Sequence, residues 1–240
     1  MIASRLLDLF YPRRCPVCNR VLAFGETQCH CHSLQTKRVD APVCEHCGAG
    51  LDRCTCARSG EVTLEHLAAP FYYCGKVRDD LLELKFRGEK ALASKLGREM
   101  AVCFAVRFAN VQPDVVTSVP MTKKSERARG FNQSTLLAKR VASQLLLPFA
   151  PLLKKTRETE KQHECSEAVR KTNLLGAFAL QKGADVRGKT VLLIDDIKTT
   201  GATLHECAQV LTENGAARVY CLCCAVTEYF VDQTSEISKS

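Results

Sequence analysis

Residues 191–206 read VLLIDDIKTTGATLHE. An apolar run, Val191 to Ile194, ends in two adjacent carboxylates, Asp195 and Asp196. Lys198, Thr199, Thr200, Gly201, Ala202 and Thr203 follow, before a segment with helical apolar spacing. Adjacent carboxylates repel, so they require hydroxyls, donors or a cation beside them. The small side chains beyond them let a ligand approach the backbone, and the start of a helix offers N–H groups without intrahelical partners. The combination is a phosphate cradle next to carboxylates suited to sugar hydroxyls, and a sugar phosphate satisfies both halves. A solvated turn capped by Thr203 is the plainer alternative; the coincidence of so many features weighs against it. A Walker-type loop is excluded, because the spaced glycines and the Gly-Lys-Ser/Thr ending are missing.

A second stretch, SVPMTKKSERARGFNQS (118–134), leaves a short strand at Val119 and Pro120 and then gathers Lys123, Lys124, Arg127 and Arg129. Cations this close repel unless water or an anion screens them. Alone it reads as a solvated basic turn. Beside a phosphate loop it suits a pyrophosphate or nucleic-acid contact, with Val119, Pro120, Lys123 and Lys124 on the pyrophosphate. Together with Lys154 and Lys155 the same cations form a surface for single-stranded DNA, whose binding must weaken steeply with salt. The net charge of +8 points the same way without naming a partner. Aromatic content of 6% with no Trp leaves few stacking platforms, Phe131, Tyr72 and Tyr73 among them. Residues 154–180 place Arg157, Thr159, Gln162, Arg170 and Asn173 in a polar connection suited to a mobile lid.

The third group is cysteine. Of fifteen cysteines, eight fall between positions 15 and 56, in the clusters CPVC, CHCH, CEHC and CTC. Cys-x-x-Cys corners put two thiolates on one ion, and two corners complete a zinc tetrahedron. The simplest pairing gives one zinc to Cys15, Cys18, Cys29 and Cys31 and a second to Cys44, Cys47, Cys54 and Cys56. His32 is an alternative to Cys31, and pairing the first cluster with the third also fits the spacing. So polar a segment has little core of its own, so metal binding would supply its folding energy. His46 is expected to be exposed, and Cys221, Cys223 and Cys224 to be core residues on the last strand.

The elements that must position these groups follow from the pattern after residue 60. Strands are expected at 68–75, 113–120, 176–180, 190–195 and 218–226, and helices at 77–88, 90–108, 132–146 and 203–214. Asn132 or Ser134 caps the third helix, and Gly215 ends the last. Strand–helix alternation argues for an α/β fold with a parallel sheet covered on both faces, where ligands sit beyond the carboxyl ends of strands. The expected organisation is an N-terminal helix and zinc-ribbon-like module over 1–60, the α/β domain over 61–230 and a disordered tail over 231–240. No apolar run approaches the ~20 residues of a membrane span, and the first fifteen residues lack the pattern of a secretion signal.

The DDIKTTGAT segment resembles the phosphoribosyl pyrophosphate loop of type I phosphoribosyltransferases. The resemblance implies that Asp195 and Asp196 hold the ribose 2′ and 3′ hydroxyls and act as the catalytic pair. It also implies that Thr199 to Thr203 hold the 5′-phosphate and that Mg²⁺ accompanies the pyrophosphate. Lys198 stands where that family often has an apolar or aromatic residue, and either reaches the phosphate or faces solvent. Zinc-type cysteines, LKFRGEK, VP…RARGFNQS, RETEKQ and LLIDDIKTTGATL occur in the order seen in the ComF family, over about residues 11–228. This implies a type I phosphoribosyltransferase-like sheet preceded by a zinc module, in a cytoplasmic protein of DNA uptake that works with single-stranded DNA and a DNA-uptake helicase. HECSEA (163–168) departs from the apolar, Ser-rich stretch of relatives. An active phosphoribosyltransferase with an unidentified acceptor is the alternative.

Overall fold

A computed structural model of the chain describes residues 36–54, 56, 64–88, 90–157 and 176–228. The N-terminal helix, Cys15, Cys18, Cys29, Cys31 and His32, most of the lid and the tail lie outside the described residues. In chain order the elements are β1 (Leu67–Ala68), β2 (Phe71–Tyr72), α1 (Gly75–Arg87), α2 (Lys90–Arg107), β3 (Val115–Ser118), α3 (Lys123–Arg129), α4 (Gln133–Leu145), β4 (Leu153–Lys155), β5 (Phe178–Leu180), β6 (Thr190–Lys198), α5 (Ala202–Glu213) and β7 (Arg218–Val226). The parallel sheet has the order β1-β7-β6-β3, and β2 also pairs with β7. Strands β4 and β5 form a separate antiparallel pair.

Alternation along the central strands creates two cores. Leu192 and Ile194 of β6, with Tyr220, Leu222 and Cys224 of β7, face one layer containing Leu84, Met100 and Leu137 of α1, α2 and α4. Val191 and Leu193, with Cys221 and Cys223, face Leu204, Cys207 and Leu211 of α5 on the other side. Strands buried on both faces become nearly continuous apolar runs, which is what parallel pairing demands. Burial pushes the Cys221 thiol up to about 12, so it stays an un-ionised core group, as expected for these strand cysteines.

Three local readings are refined. The strand expected over 68–75 is two short pieces either side of Pro70, which has no N–H to give a ladder. The basic turn after Pro120 is a short helix, α3. Thr122 caps it by accepting from the Ser125 N–H at 3.1 Å, and Gly130 ends it at φ 85°. Lys123 and Lys124 therefore start a helix rather than a turn, and only residues 119–122 connect it to β3. Finally, β6 runs past the acidic pair to Lys198, because the nine-residue β7 pairs with it through Val226.

Candidate functional site

Although β6 continues, the acidic pair does mark an edge. β3 ends at Ser118, opposite Ile194, so on that side β6 loses its neighbour immediately before Asp195. The N-terminus of α4 takes the vacated place. Asn132 caps it, accepting from the Ser134 N–H at 2.9 Å and the Thr135 N–H at 3.4 Å. The Asn132 amide donates to the Val119 carbonyl at 3.0 Å, and the Val119 N–H donates to the Ile194 carbonyl at 2.9 Å. One asparagine thus fastens the loop after β3 to the helix that faces the carboxylates.

The next two residues hold the pair. The Ser134 hydroxyl donates to Asp195 Oδ1 at 2.8 Å, and the Asp196 N–H donates to the same oxygen at 2.9 Å. Gln133 Nε2 donates to Asp196 Oδ2 at 3.1 Å, and the Ile197 N–H to Asp196 Oδ1 at 3.0 Å. Successive strand side chains diverge; the short serine meets one carboxylate and the longer glutamine reaches the other. Arg129 donates to Gln133 Oε1 and at 3.6 Å to Met121 Sδ, so its guanidinium braces the glutamine. Asp195 is 8% exposed, whereas Asp196 is half-buried. Burial first, and the Asp196 charge second, push the Asp195 carboxyl well above the usual carboxylate range, against the pull of the Ser134 and backbone hydrogen bonds. Such a pair is held ready for a diol or cation.

Beyond the strand, Thr199 and Thr200 lead to Gly201, which adopts φ 82° and precedes α5 without a side-chain cap. That left-handed turn, natural for glycine, brings Thr200 Oγ1 to 3.4 Å from the Ala202 N–H. The first-turn amides of α5 point out of the helix end, as an anion site requires. Lys198 is 3% exposed and so does not face solvent.

Between α3 and the β4–β5 pair lies a cleft of about 900 Å³ whose lining includes Ser118, Pro120, Asn132 and the expected cations Lys123, Lys124, Lys154 and Lys155. Arg127 is exposed on α3. Phe131 packs against Gly88, where a Cβ would lie 2.7 Å from the ring, so the LKFRG and RGFNQS segments meet there. Tyr72 is buried, and its hydroxyl accepts from the Gly50 N–H at 2.9 Å.

That tyrosine anchors the cysteine knuckle. The Cys44 N–H donates to the Ala49 carbonyl and the Gly48 N–H to the Cys44 carbonyl, both at 2.8 Å. The sulfurs of Cys44, Cys47, Cys54 and Cys56 lie within 4.8 Å of one another. Cys47 and Cys54 are 3.7 Å apart and Cys44 and Cys56 3.9 Å. Zinc–sulfur bonds of about 2.3 Å make a tetrahedron with edges of about 3.8 Å, so this donor set fits one zinc ion. It has the composition of the second site in the simple pairing. Burial raises the Cys44 thiol, but hydrogen bonds from the Cys47 and His46 backbone and from neighbouring thiols outweigh it and bring it to about 7. Burial raises Cys47 to about 11. His46 is exposed and lies outside the sulfur set, with Nδ1 2.7 Å from the Leu64 carbonyl. The knuckle is not self-contained: Cys44, Cys47 and Ala49 share a core with Leu67, Tyr72 and Val226.

Residues 132–236, beginning at the capping asparagine, match the phosphoribosyl transferase domain family. DNA utilization protein YhgH of Escherichia coli is 33% identical over 225 residues, which cover 90% of this chain and 98% of that protein. Competence protein ComFC of Bacillus subtilis is 28% identical, over 80% of each chain. The chain belongs to the ComF family. A solved structure of the allosteric regulatory enzyme of purine biosynthesis is 26% identical over 55% of this ComF chain and 25% of that one, with a TM-score of 0.38. The fold of this ComF-family chain is type I phosphoribosyltransferase-like, a parallel sheet flanked by helices with a cysteine cluster able to hold a metal. No helix among its described residues is long and apolar enough to cross a membrane.

Sequence reasoning missed Gln133 as a site residue and placed Ser134 only as an alternative helix cap; the separations of 63 and 61 positions to their carboxylates hid the contacts. A polar residue pair directly after a helix cap was the available signal.

Proposed function

We propose that this protein binds phosphoribosyl pyrophosphate and single-stranded DNA in a cytoplasmic DNA-uptake or DNA-utilisation role. The relatives' names, DNA utilization protein and competence protein, support the biological setting. The observation that carries the ligand is the hydrogen-bonded Asp195–Asp196 pair, followed directly by the Thr199–Thr203 turn into α5. The carboxylates take the ribose 2′ and 3′ hydroxyls. The hydroxyls and amides of 199–203 take the 5′-phosphate. Val119 and Pro120, fastened by Asn132, sit beside the pyrophosphate with Lys123 and Lys124. Mg²⁺ arrives with the pyrophosphate and offsets its charge. A zinc on Cys44, Cys47, Cys54 and Cys56 fixes the knuckle to the sheet, and a second zinc belongs to Cys15, Cys18, Cys29 and Cys31, with a helicase as a further partner.

Calorimetry with Mg²⁺ and phosphoribosyl pyrophosphate tests the ligand. Replacing Asp195 and Asp196 by Asn, which keeps size and one acceptor oxygen on each side chain while removing the charge, is expected to abolish the binding heat; unchanged affinity would contradict the assignment. The match to a phosphoribosyl transferase domain favours a second reading, transfer of ribose 5-phosphate to an acceptor. A screen of candidate acceptors for pyrophosphate release tests that reading.

A further inference from the structure

The basic cleft carries more charge than a diphosphate needs. Among the described residues six lysines line it, Lys123, Lys124, Lys139, Lys154, Lys155 and Lys182, and the single described acid in the lining is Glu126. Of these, Lys123, Lys124, Lys139, Lys154 and Lys182 are exposed and make no ion pair with any described residue. Cations brought together from α3, α4, β4 and the turn after β5 repel one another, and a polyanion relieves that repulsion. Phe149, half-buried in the cleft wall with Lys139 Nζ 5.7 Å from its ring centre, adds an apolar face on which a base can stack. The cleft also reaches the loop after β3, since Ser118, Pro120 and Asn132 line it.

We propose that this cleft is the single-strand groove, and that a nucleic-acid strand and the pyrophosphate of the sugar ligand exclude one another because both require Lys123 and Lys124. Lys139, Lys154 and Lys182 serve the strand alone. Occupancy of the sugar-phosphate site then releases DNA, and bound DNA keeps the site empty. The proposal rests on the preceding assignment of the pyrophosphate to Lys123 and Lys124.

The test uses fluorescence anisotropy of a labelled oligothymidylate on the full chain over a salt series, with Mg²⁺-phosphoribosyl pyrophosphate and Mg²⁺-pyrophosphate as competitors. Saturating competitor is expected to weaken oligonucleotide binding at least about tenfold, the exchange expected when shared phosphate contacts are lost. Combined Lys139→Ala and Lys182→Ala substitutions should reduce the steepness of log K against log salt by about 1.4, since each single-strand contact contributes about 0.7. The same variant should bind phosphoribosyl pyrophosphate unchanged in calorimetry. Arg218→Ala, at the opposite end of the sheet, should alter neither. An absence of oligonucleotide binding, an unchanged salt slope in the double variant, or simultaneous binding of strand and pyrophosphate would overturn the proposal. If phosphoribosyl pyrophosphate gives no binding heat, the sugar assignment fails, and displacement by pyrophosphate alone still decides whether the groove is shared.

Discussion

The cysteine knuckle and the acidic end of β6 both crowd groups that repel when ionised, and they resolve the conflict in opposite ways. At the knuckle four sulfurs surround a point, with two opposed edges of 3.7 and 3.9 Å. Four thiolates this close repel strongly, a zinc ion would neutralise them, and four sulfur ligands would close its coordination shell. At β6 the carboxylates are satisfied from one side by Ser134, Gln133 and backbone amides. The protein supplies part of the solvation, and the proposed sugar ligand would supply the remainder. A donor set that is complete in itself is structural; one completed by something that comes and goes is a binding site.

The sharpest break of this contrast is Cys47→Ser. It should remove one zinc per chain in elemental analysis and cost about 4 kcal/mol or more in urea unfolding, the scale of losing a structural metal. Retention of both metal and stability would make the knuckle an ordinary thiol cluster.

Ser134→Ala strips a donor from a buried carboxyl, and an unsatisfied buried group costs about 1–3 kcal/mol. Equilibrium unfolding should show that loss together with weaker phosphoribosyl pyrophosphate binding.

The raised Asp195 value gives a smaller effect with a definite sign. The folded state holds the proton more tightly than the unfolded chain, whose aspartates titrate near about 3.9. The associated stability is complete below that value and is lost as pH rises through the raised folded value. Asp195→Asn should therefore melt higher than the parent at alkaline pH, with the gap closing towards about pH 4. A gap of constant size in melting temperature from acid to alkali would show that burial does not govern this carboxyl.

Gln133→Ala touches the half-buried partner and should cost no more than about 1 kcal/mol, a typical net hydrogen bond. Its main trace should be in ligand affinity, since it frees Asp196 and Arg129 together.

Sequence reading found what is local. The Cys-x-x-Cys corner at 44–47 and the close pair at 54 and 56 announce a tetrahedral site because the spacing alone brings the sulfurs near. The helices α1, α2, α4 and α5 and the strands β3, β6 and β7 follow from apolar periodicity, and type and place narrow the α4 cap to Asn132 or Ser134, of which the structure uses Asn132. What depended on pairing was hidden. The extension of β6 to Lys198 is imposed by β7. The short α3 was masked by its run of charge, although Thr122 and Gly130 bracket it. Ser134 and Gln133 could be linked to the aspartates only once β3 ended at Ser118 and let α4 approach. The cleft joins lysines from four separate parts of the chain, including Lys139 and Lys182, which no motif marked.

The most direct test of the central claim is a crystal structure with Mg²⁺ and phosphoribosyl pyrophosphate bound. The ribose diol should lie within hydrogen-bond distance of the Asp195 and Asp196 carboxylates, with the 5′-phosphate on the hydroxyls and amides of residues 199–203. Ligand bound elsewhere, with both carboxylates still engaged only by Ser134, Gln133 and the backbone, would contradict it.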